Sequence, residues 1–254
     1  MSAEIYMLNS SSKGNSCLIR NGGDLFLIDA GVSAKRIRSA VGELGYDLSS
    51  VRCILLTHEH SDHVAGLETL YHCLSVPLYA PSLCFPELSR VAPSAVPYLR
   101  PGDHGMTISL GETKIYPVKT PHDSLGSVGF RMSFGDENFA YFTDVGHLTE
   151  QLVRAMSGCR RVVIESNYDP DMLENGPYPY PLKRRIAGPL GHLSNTSCAE
   201  LLPHLLNHGT EKIMLAHLSE NNNTPEVALE TAARAVGRTD CVRAASPAAT
   251  VPLD

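Results

Sequence analysis

The chain has 254 residues, of which 43% are hydrophobic, and its formal net charge is −6. This length fits one large domain over 1–254 with a sizeable core, and the negative charge argues against a protein that coats nucleic acid without specificity. No apolar run approaches the roughly 18 residues of a spanning helix and the N-terminus lacks a secretory signal, so no membrane partner is expected. Seven cysteines without a CxxC pair indicate reduced thiols and a cytoplasmic location.

Strand-like and helix-like segments alternate along the chain, with no internal repeat. Strands are predicted at 4–8, 16–20, 25–29, 53–56, 76–80, 106–109, 112–119, 128–134, 138–143, 161–165, 212–216 and 240–244. Helices are predicted at 33–44, 63–74, 148–157, 195–208 and 225–236. The proline-rich stretch 81–101 is predicted to be irregular, with one short helix. Two strand-rich halves with outer helices predict an α/β (α+β) fold in which two sheets pack face to face.

The segment from Thr57 to His63 is dense in side chains that bind metals. It supplies the four potential ligands His58, His60, Asp62 and His63. The apolar run before it reads as a buried strand, so the cluster lies on a loop at a strand end, where catalytic groups are common. Imidazoles with a carboxylate suit zinc, iron or manganese better than magnesium or calcium. The alternative, a solvated polar loop, fits this ligand spacing poorly.

Further ligand-type residues also follow predicted strands. His122, Asp144 and His217 each come directly after an apolar, strand-like run. Taken singly, each has an ordinary hydrogen-bonded polar residue as its alternative. Taken with the cluster at His58, they predict a metal site at one edge of the sheets.

The order THxHxDH followed by separated His, Asp and His resembles the ligand order of the metallo-β-lactamase superfamily. This resemblance implies an αββα four-layer sandwich that holds two divalent metal ions per chain, either zinc, manganese or iron. It assigns His58, His60 and His122 to one metal, Asp62, His63 and His217 to the other, and Asp144 to a bridge between them. Asp29 matches an early Asp that orients such a site, and its alternative is a turn residue before Gly31.

Several segments resemble the YycJ/WalJ subfamily in particular. They lie at 9–16, 143–146, 165–167, 182–186, 191–195 and 217–222. Members of that subfamily are bacterial cytosolic proteins with DNA exonuclease activity, so the resemblance implies a 5′-to-3′ exodeoxyribonuclease whose partner is a DNA end. Tyr168 departs from the subfamily pattern, which has His after Glu-Ser-Asn, and a phenol ligates metals less readily than an imidazole.

The predicted chemistry is hydrolysis by a metal-bridging hydroxide. Two metals can lower the pKa of water from about 15.7 toward 7 and so provide a nucleophile at neutral pH. Asp144 and Asp62 then set the metal geometry. His192 is the predicted proton donor to the leaving oxygen, because Gly191-His192-Leu193-Ser194 resembles the GHST segment of ribonuclease Z. The alternative is that His192 only precedes and packs on the helix predicted at 195–208.

Candidate substrate contacts comprise Ser10, Ser12 and Asn15 in a first polar segment, Lys183 and Arg184 in a basic run, Ser194, and Asn221 in a segment that lines a groove or forms a polar loop. The first segment presents backbone N–H groups to an anion or forms a hairpin turn. The basic run at 183–185 contacts phosphate or is a solvated helix face. Few aromatic residues predict limited base stacking, which favours backbone contacts over sequence readout.

Two classes of enzyme therefore compete. The first is a metal-dependent phosphodiesterase that acts as a DNA exonuclease. The second is a small-molecule hydrolase of thioesters, lactones or small phosphodiesters. A non-catalytic metal-bound module is disfavoured because no ligand position is lost. The intervals between motifs are too short for the cap domain of many nucleases in the superfamily, so we expect an open groove or one covered by 81–101.

Overall fold

Residues 3–253, the part of the chain that the computed structural model describes, form two sheets of seven strands each. The first sheet has the spatial order β14 (Val251–Pro252), β1 (Glu4–Ser11), β2 (Gly14–Asn21), β3 (Asp24–Ile28), β4 (Val51–Leu55), β5 (Leu78–Ala80) and β6 (Leu99–Pro101). The second has the order β13 (Val242–Ala244), β12 (Lys212–Ala216), β11 (Arg161–Glu165), β10 (Glu137–Phe142), β9 (Val128–Phe134), β8 (Thr113–Lys119) and β7 (Ile108–Leu110). Positions 1, 2 and 254 of the predicted domain lie outside the described residues.

Each sheet changes from antiparallel to parallel pairing part of the way across. In the first sheet β1, β2 and β3 pair antiparallel, and β3 to β6 pair parallel. In the second sheet β7 to β10 pair antiparallel, and β10 to β13 pair parallel. Parallel neighbours end at the same edge of a sheet, so the loops after β3 and β4 lie together, as do those after β10, β11 and β12.

Helices cover the outer face of both sheets. On the first sheet lie α1 (Ala34–Glu43), α2 (Ser61–Val64), α3 (Leu67–Tyr71) and α4 (Phe85–Val91). The second half supplies α5 (Glu150–Met156), α6 (Pro170–Asn175), α7 (Tyr180–Ile186), α8 (Asn195–Asn207) and α9 (Pro225–Val236). Short 3₁₀ helices occur at Leu48–Ser50, Ser82–Cys84 and Pro93–Tyr98.

The strand residues alternate between two apolar layers. In β3, Leu25 and Leu27 pack with the helices, whereas Phe26 and Ile28 pack between the sheets. Successive strand residues point to opposite faces, so a strand covered on both sides is apolar throughout. A third cluster, which includes Leu202 of α8, joins the second sheet to its helices. The layers are therefore helix, sheet, sheet, helix, and the predicted αββα sandwich is confirmed.

The predicted helix at 63–74 is wrong in its continuity, because the chain forms two short helices separated by Ala65 and Gly66. The amide of Gly66 donates to the Ala30 carbonyl at 2.7 Å, and a Cβ there would lie 2.2 Å from the Val32 carbonyl oxygen. Only a glycine permits this approach to the loop after β3.

The stretch 81–101 is more regular than predicted, since it contains α4, two 3₁₀ helices and β6. Leu88, Ala92 and Ala95 are buried in the helix-side cluster of the first sheet. These residues anchor the stretch to the core, whereas Leu83 and Val96 are exposed, and coverage of a groove by 81–101 remains a prediction. The helices α6 and α7 and the edge strand β14 are not among the predicted elements. Within residues 3–253, no helix combines the length and apolar character that a bilayer crossing requires.

Candidate metal centre

Three residues at the shared edge of the sheets have a left-handed backbone. Asp29, Asp144 and His217 have φ values of 57°, 58° and 56° and lie one or two residues beyond strand ends. Within residues 3–253 they are the only non-glycine residues with positive φ. Such a conformation costs about 1–3 kcal/mol and persists only where the surroundings hold it. The strain therefore marks an edge that is built for a function.

The first group of potential ligands comprises His58, His60 and His122. One ring nitrogen from each lies within 4.8 Å of the others. His122 Nδ1 donates to the Gly191 carbonyl at 3.1 Å, which directs Nε2 toward the centre. His58 and His60 follow β4 of the first sheet and His122 follows β8 of the second, so both sheets contribute to the group.

The second group comprises Asp62, His63 and His217, whose ligand atoms also lie within 4.8 Å of one another. His217 Nε2 is 3.3 Å from Asp62 Oδ2. Asp144 lies between the two groups, with Oδ1 3.4 Å from His122 Nε2 and Oδ2 3.3 Å from His63 Nε2. The seven predicted ligand positions therefore converge.

Buried polar atoms without a hydrogen-bond partner indicate whether the two ligand groups suit metal ions. Among the described residues, His58 Nε2 and Asp144 Oδ2 are buried without a hydrogen-bond partner. A buried polar atom without a partner costs free energy, which a bound cation removes. Imidazole and carboxylate donors suit zinc, manganese and iron. The residues present therefore fit divalent metal ions.

The histidines of the two groups differ in pKa. Burial lowers the pKa of His58 and of His60, which leaves these rings neutral, the form that binds metal. Burial also acts to lower the pKa of His63 and of His217, but neighbouring carboxylates, Asp62 and Asp144 among them, outweigh burial and raise both values. A metal ion at the second group must therefore displace protons.

A buried carboxylate orients His63. Asp29 Oδ2 accepts from His63 Nδ1 at 2.8 Å, and Asp29 Oδ1 accepts from the Thr57 amide at 2.8 Å. This contact fixes the ring so that Nε2 faces the centre. The position agrees with the orienting role that the resemblance implies for Asp29.

Glu165 contacts two histidines of this centre, although its sequence position did not identify it as a site residue. Its Oε1 accepts from His217 Nδ1 at 2.6 Å and from His192 Nδ1 at 2.9 Å. Its Oε2 accepts from the backbone amides of Val145 and Leu193. Burial acts to raise the pKa of Glu165, but His192 and His217 outweigh burial and lower it to about 2. The available signal was a carboxylate at the end of a buried strand, the same signal that Asp29 gives.

His192 lies beside both ligand groups. Its ring centroid is 5.3 Å from that of His122 and 5.2 Å from that of His217. Its Nδ1 contacts Glu165 Oε1, and the side chain is 19% exposed. Burial acts to lower the pKa of His192, but Glu165 outweighs burial and raises it. The ring can therefore carry a proton near neutral pH.

Three expected substrate contacts are buried and support the site from within. The Ser10 hydroxyl accepts from the His217 amide at 2.7 Å. Asn15 donates to the Ser11 carbonyl and lies 3.4 Å from Asp62 Oδ2. Ser194 accepts from the Ser197 amide and caps α8. The segment that contains Ser10 and Asn15 forms the hairpin that was expected as its alternative structure, since β1 and β2 are joined by a two-residue turn.

The other expected substrate contacts lie near the surface. Ser12, Arg184 and Asn221 are exposed, and Lys183 is half-buried. Lys183 and Arg184 belong to α7, which has no buried residue. These four positions remain predictions for substrate contact.

Replacing Asp29 with Asn is expected to weaken metal binding by about 10–100-fold, because partners that orient a ligand contribute that much to affinity. Asn keeps the size of the side chain and tolerates the left-handed backbone. Competition with a chromogenic chelator measures the affinity. Asp24→Asn, at the partly exposed start of the same strand, is the matched control. Equal metal affinity of Asp29→Asn and the control would contradict the orienting role.

Comparison with known proteins gives a consistent result. Residues 25–218 match the family model of the beta-lactamase superfamily domain. The chain is similar to exodeoxyribonuclease WalJ of Streptococcus pneumoniae serotype 2, with 32% identity over 92% of this chain and 88% of that protein. Exodeoxyribonuclease YycJ of Bacillus anthracis is 30% identical over 90% of this chain and 87% of that protein. The crystal structure of the metallo-beta-lactamase fold protein YhfI from Bacillus subtilis superposes with a TM-score of 0.74 over 98% of both chains, at 14% identity.

Proposed function

The chain belongs to the metallo-β-lactamase superfamily, in the group of the WalJ and YycJ proteins, and on that premise we propose that it is a metal-dependent exodeoxyribonuclease. The observation that carries the proposal is the convergence of two ligand groups on either side of Asp144. Relatives called exodeoxyribonucleases match about nine-tenths of the chain, and this supports DNA as the substrate.

Two divalent ions per chain complete the proposed site. His58, His60 and His122 would hold one ion, and Asp62, His63 and His217 would hold the other. The two oxygens of Asp144 face one group each, which supports a bridging role. When bound, such a pair of ions supplies a water-derived nucleophile at neutral pH and neutralises charge on the phosphate.

The proposed role of His192 is to donate a proton from Nε2 to the leaving oxygen of the phosphodiester. Glu165 contacts Nδ1 and thereby fixes the tautomer and the direction of the ring. The same carboxylate raises the pKa of His192, so the proton is available near neutral pH. Asp62 contacts His63 and His217 and holds the second group in place.

Incubating the purified protein with Mn²⁺ and DNA labelled at its 5′ or 3′ end tests the proposal. We expect stepwise release of mononucleotides from the 5′ end, loss of activity in excess chelator and recovery when Mn²⁺ is restored. Elemental analysis is expected to find two metal equivalents per chain.

An intact DNA substrate, or equal degradation by the Asp62→Ala variant, would contradict a nuclease at this centre. Parallel assays with a glutathione thioester and an acyl-homoserine lactone distinguish the alternative enzyme class. Fast turnover of either compound, with DNA left intact, would identify a small-molecule hydrolase.

A further inference from the structure

A groove of about 530 Å³ runs along α6 and α7. Its floor is formed by the buried side chains of Tyr168 and Leu173, and the exposed Pro170 also lines it. Its rim carries Tyr180, Lys183 and Arg184. An apolar floor with an aromatic and cationic rim suits a ligand that combines flat rings with negative charge.

The aromatic rim residue is unusually exposed, since Tyr180 shows 70% of its surface to solvent. The Arg184 guanidinium lies 5.9 Å from the centre of the Tyr180 ring. One face of the ring therefore has a cationic neighbour, while most of the side chain remains available to a ligand.

The charge of the rim is opposite in sign to that of the chain. The protein has a net charge of −6, yet Lys183, Arg184 and Arg185 are consecutive in the last turn of α7. Glu174 is an acidic residue of the lining, and its backbone carbonyl accepts from Lys183 Nζ at 2.6 Å. Arg185 is paired with Asp123 outside the groove, and within the lining the two cations Lys183 and Arg184 outnumber the single carboxylate of Glu174, so the rim favours an anion.

Direct contacts connect the groove to the candidate metal centre. The His192 amide donates to the Ile186 carbonyl at 2.9 Å, so α7 ends beside the proposed proton donor. Arg185 Nε donates to Asp123 Oδ2 at 2.6 Å, and Asp123 follows the potential ligand His122. At Gly191 a Cβ would lie 2.2 Å from the Ile186 carbonyl oxygen, so glycine allows the two segments to approach. A strand that leaves the metal centre along this side meets α7.

We propose that this groove binds the single-stranded DNA adjacent to the scissile phosphate, with one base stacked on Tyr180 and phosphates contacted by Lys183 and Arg184. Aromatic rings with basic side chains are the usual means of binding single strands without sequence preference. This inference rests on the proposed nuclease function and adds where the strand lies. It also revises the expectation of limited stacking at one position, because Tyr180 presents an exposed ring beside Lys183 and Arg184.

A binding assay without catalysis tests the groove. Fluorescence anisotropy of a labelled 12-nucleotide deoxythymidine strand is measured with the full chain in excess chelator. Tyr180→Ala is expected to raise Kd about tenfold, within the range that removal of one stacking side chain produces. Arg184→Ala is expected to raise Kd and to reduce the slope of log affinity against log salt by about 0.7, the value for one lost phosphate contact on a single strand.

Matched variants separate the groove from general effects. Tyr180→Phe keeps the ring and is expected to restore wild-type affinity. Arg234→Ala removes an exposed arginine in the last turn of α9 and is expected to leave the salt slope unchanged. A blunt duplex, whose bases are stacked internally, is expected to bind with no dependence on Tyr180.

The outcomes distinguish this inference from the proposed function. The groove proposal would be contradicted if Tyr180→Ala bound the single strand with wild-type affinity. It would also be contradicted if this variant lost affinity for the blunt duplex as much as for the single strand. If the strand binds in a manner that depends on Tyr180 but DNA is not cleaved with Mn²⁺, the groove stands and the nuclease proposal fails. If DNA is cleaved and Tyr180→Ala leaves KM unchanged, the nuclease stands and the groove fails.

Discussion

Replacing Asp144 with Asn is expected to lower DNA hydrolysis by roughly 10³-fold, which corresponds to about 4 kcal/mol in the activation barrier. Asp144 is buried, and its two oxygens face His122 and His63, one from each ligand group. An amide offers only one oxygen and no negative charge, so it cannot serve both groups. Asn tolerates positive φ, and the backbone is therefore kept. Turnover of end-labelled DNA and metal content per chain are the two measurements.

The control for Asp144→Asn is Asp136→Asn in the exposed turn between β9 and β10. This control makes the same chemical change far from the ligand groups, and it should keep both the metal and the activity. Full metal content together with wild-type turnover in Asp144→Asn would remove the basis for a bridging carboxylate.

Replacing Glu165 with Gln is expected to slow hydrolysis by about 10²-fold, a typical contribution of a positioned acid or base. Glu165 raises the pKa of His192, so in the wild type the protonated ring persists to higher pH. A proton donor is lost as the pH rises through its pKa. Without the carboxylate that pKa falls, and the alkaline limb of the pH–rate profile should move to lower pH. The measurement is kcat/KM for DNA from about pH 5 to 10, which brackets the histidine range.

The control for Glu165→Gln is Glu150→Gln in α5, where the side chain is 89% exposed. It should leave both the rate and the pH profile unchanged. A slower Glu165→Gln enzyme with an unshifted alkaline limb would indicate that Glu165 acts only through His217 and not through His192.

The convergence of the predicted ligand positions could be expected from the sequence, because His58, His122, Asp144 and His217 each come shortly after an apolar strand. Parallel strands end at a common edge, so residues such as Asp144 and His217 meet although they lie far apart in the chain. Glu165 was missed because it completes an apolar run and its spacing does not show that two histidines will contact it. That contact exists only once β11 lies between β10 and β12.

Other differences arise from contacts between distant segments. The break at Gly66 depends on Ala30 and Val32, which no local pattern connects to it. Burial of Ser10 depends on the loop after β12, since its hydroxyl contacts the His217 amide. The helix α6 did have a local signal, because Asp169 caps it and Pro170 is its first residue.

The division of the ligands between the two sheets has a consequence for the stability of the whole protein. Each ligand group takes residues from the loop after β4 and one residue from a loop of the second sheet. Neither half of the chain therefore contains a complete ligand group, and separation of the sheets would divide both groups. By thermodynamic linkage, ions that bind only the closed sandwich hold its two layers together. A substitution in the inter-sheet core that shifts one sheet against the other would consequently also move the ligand groups.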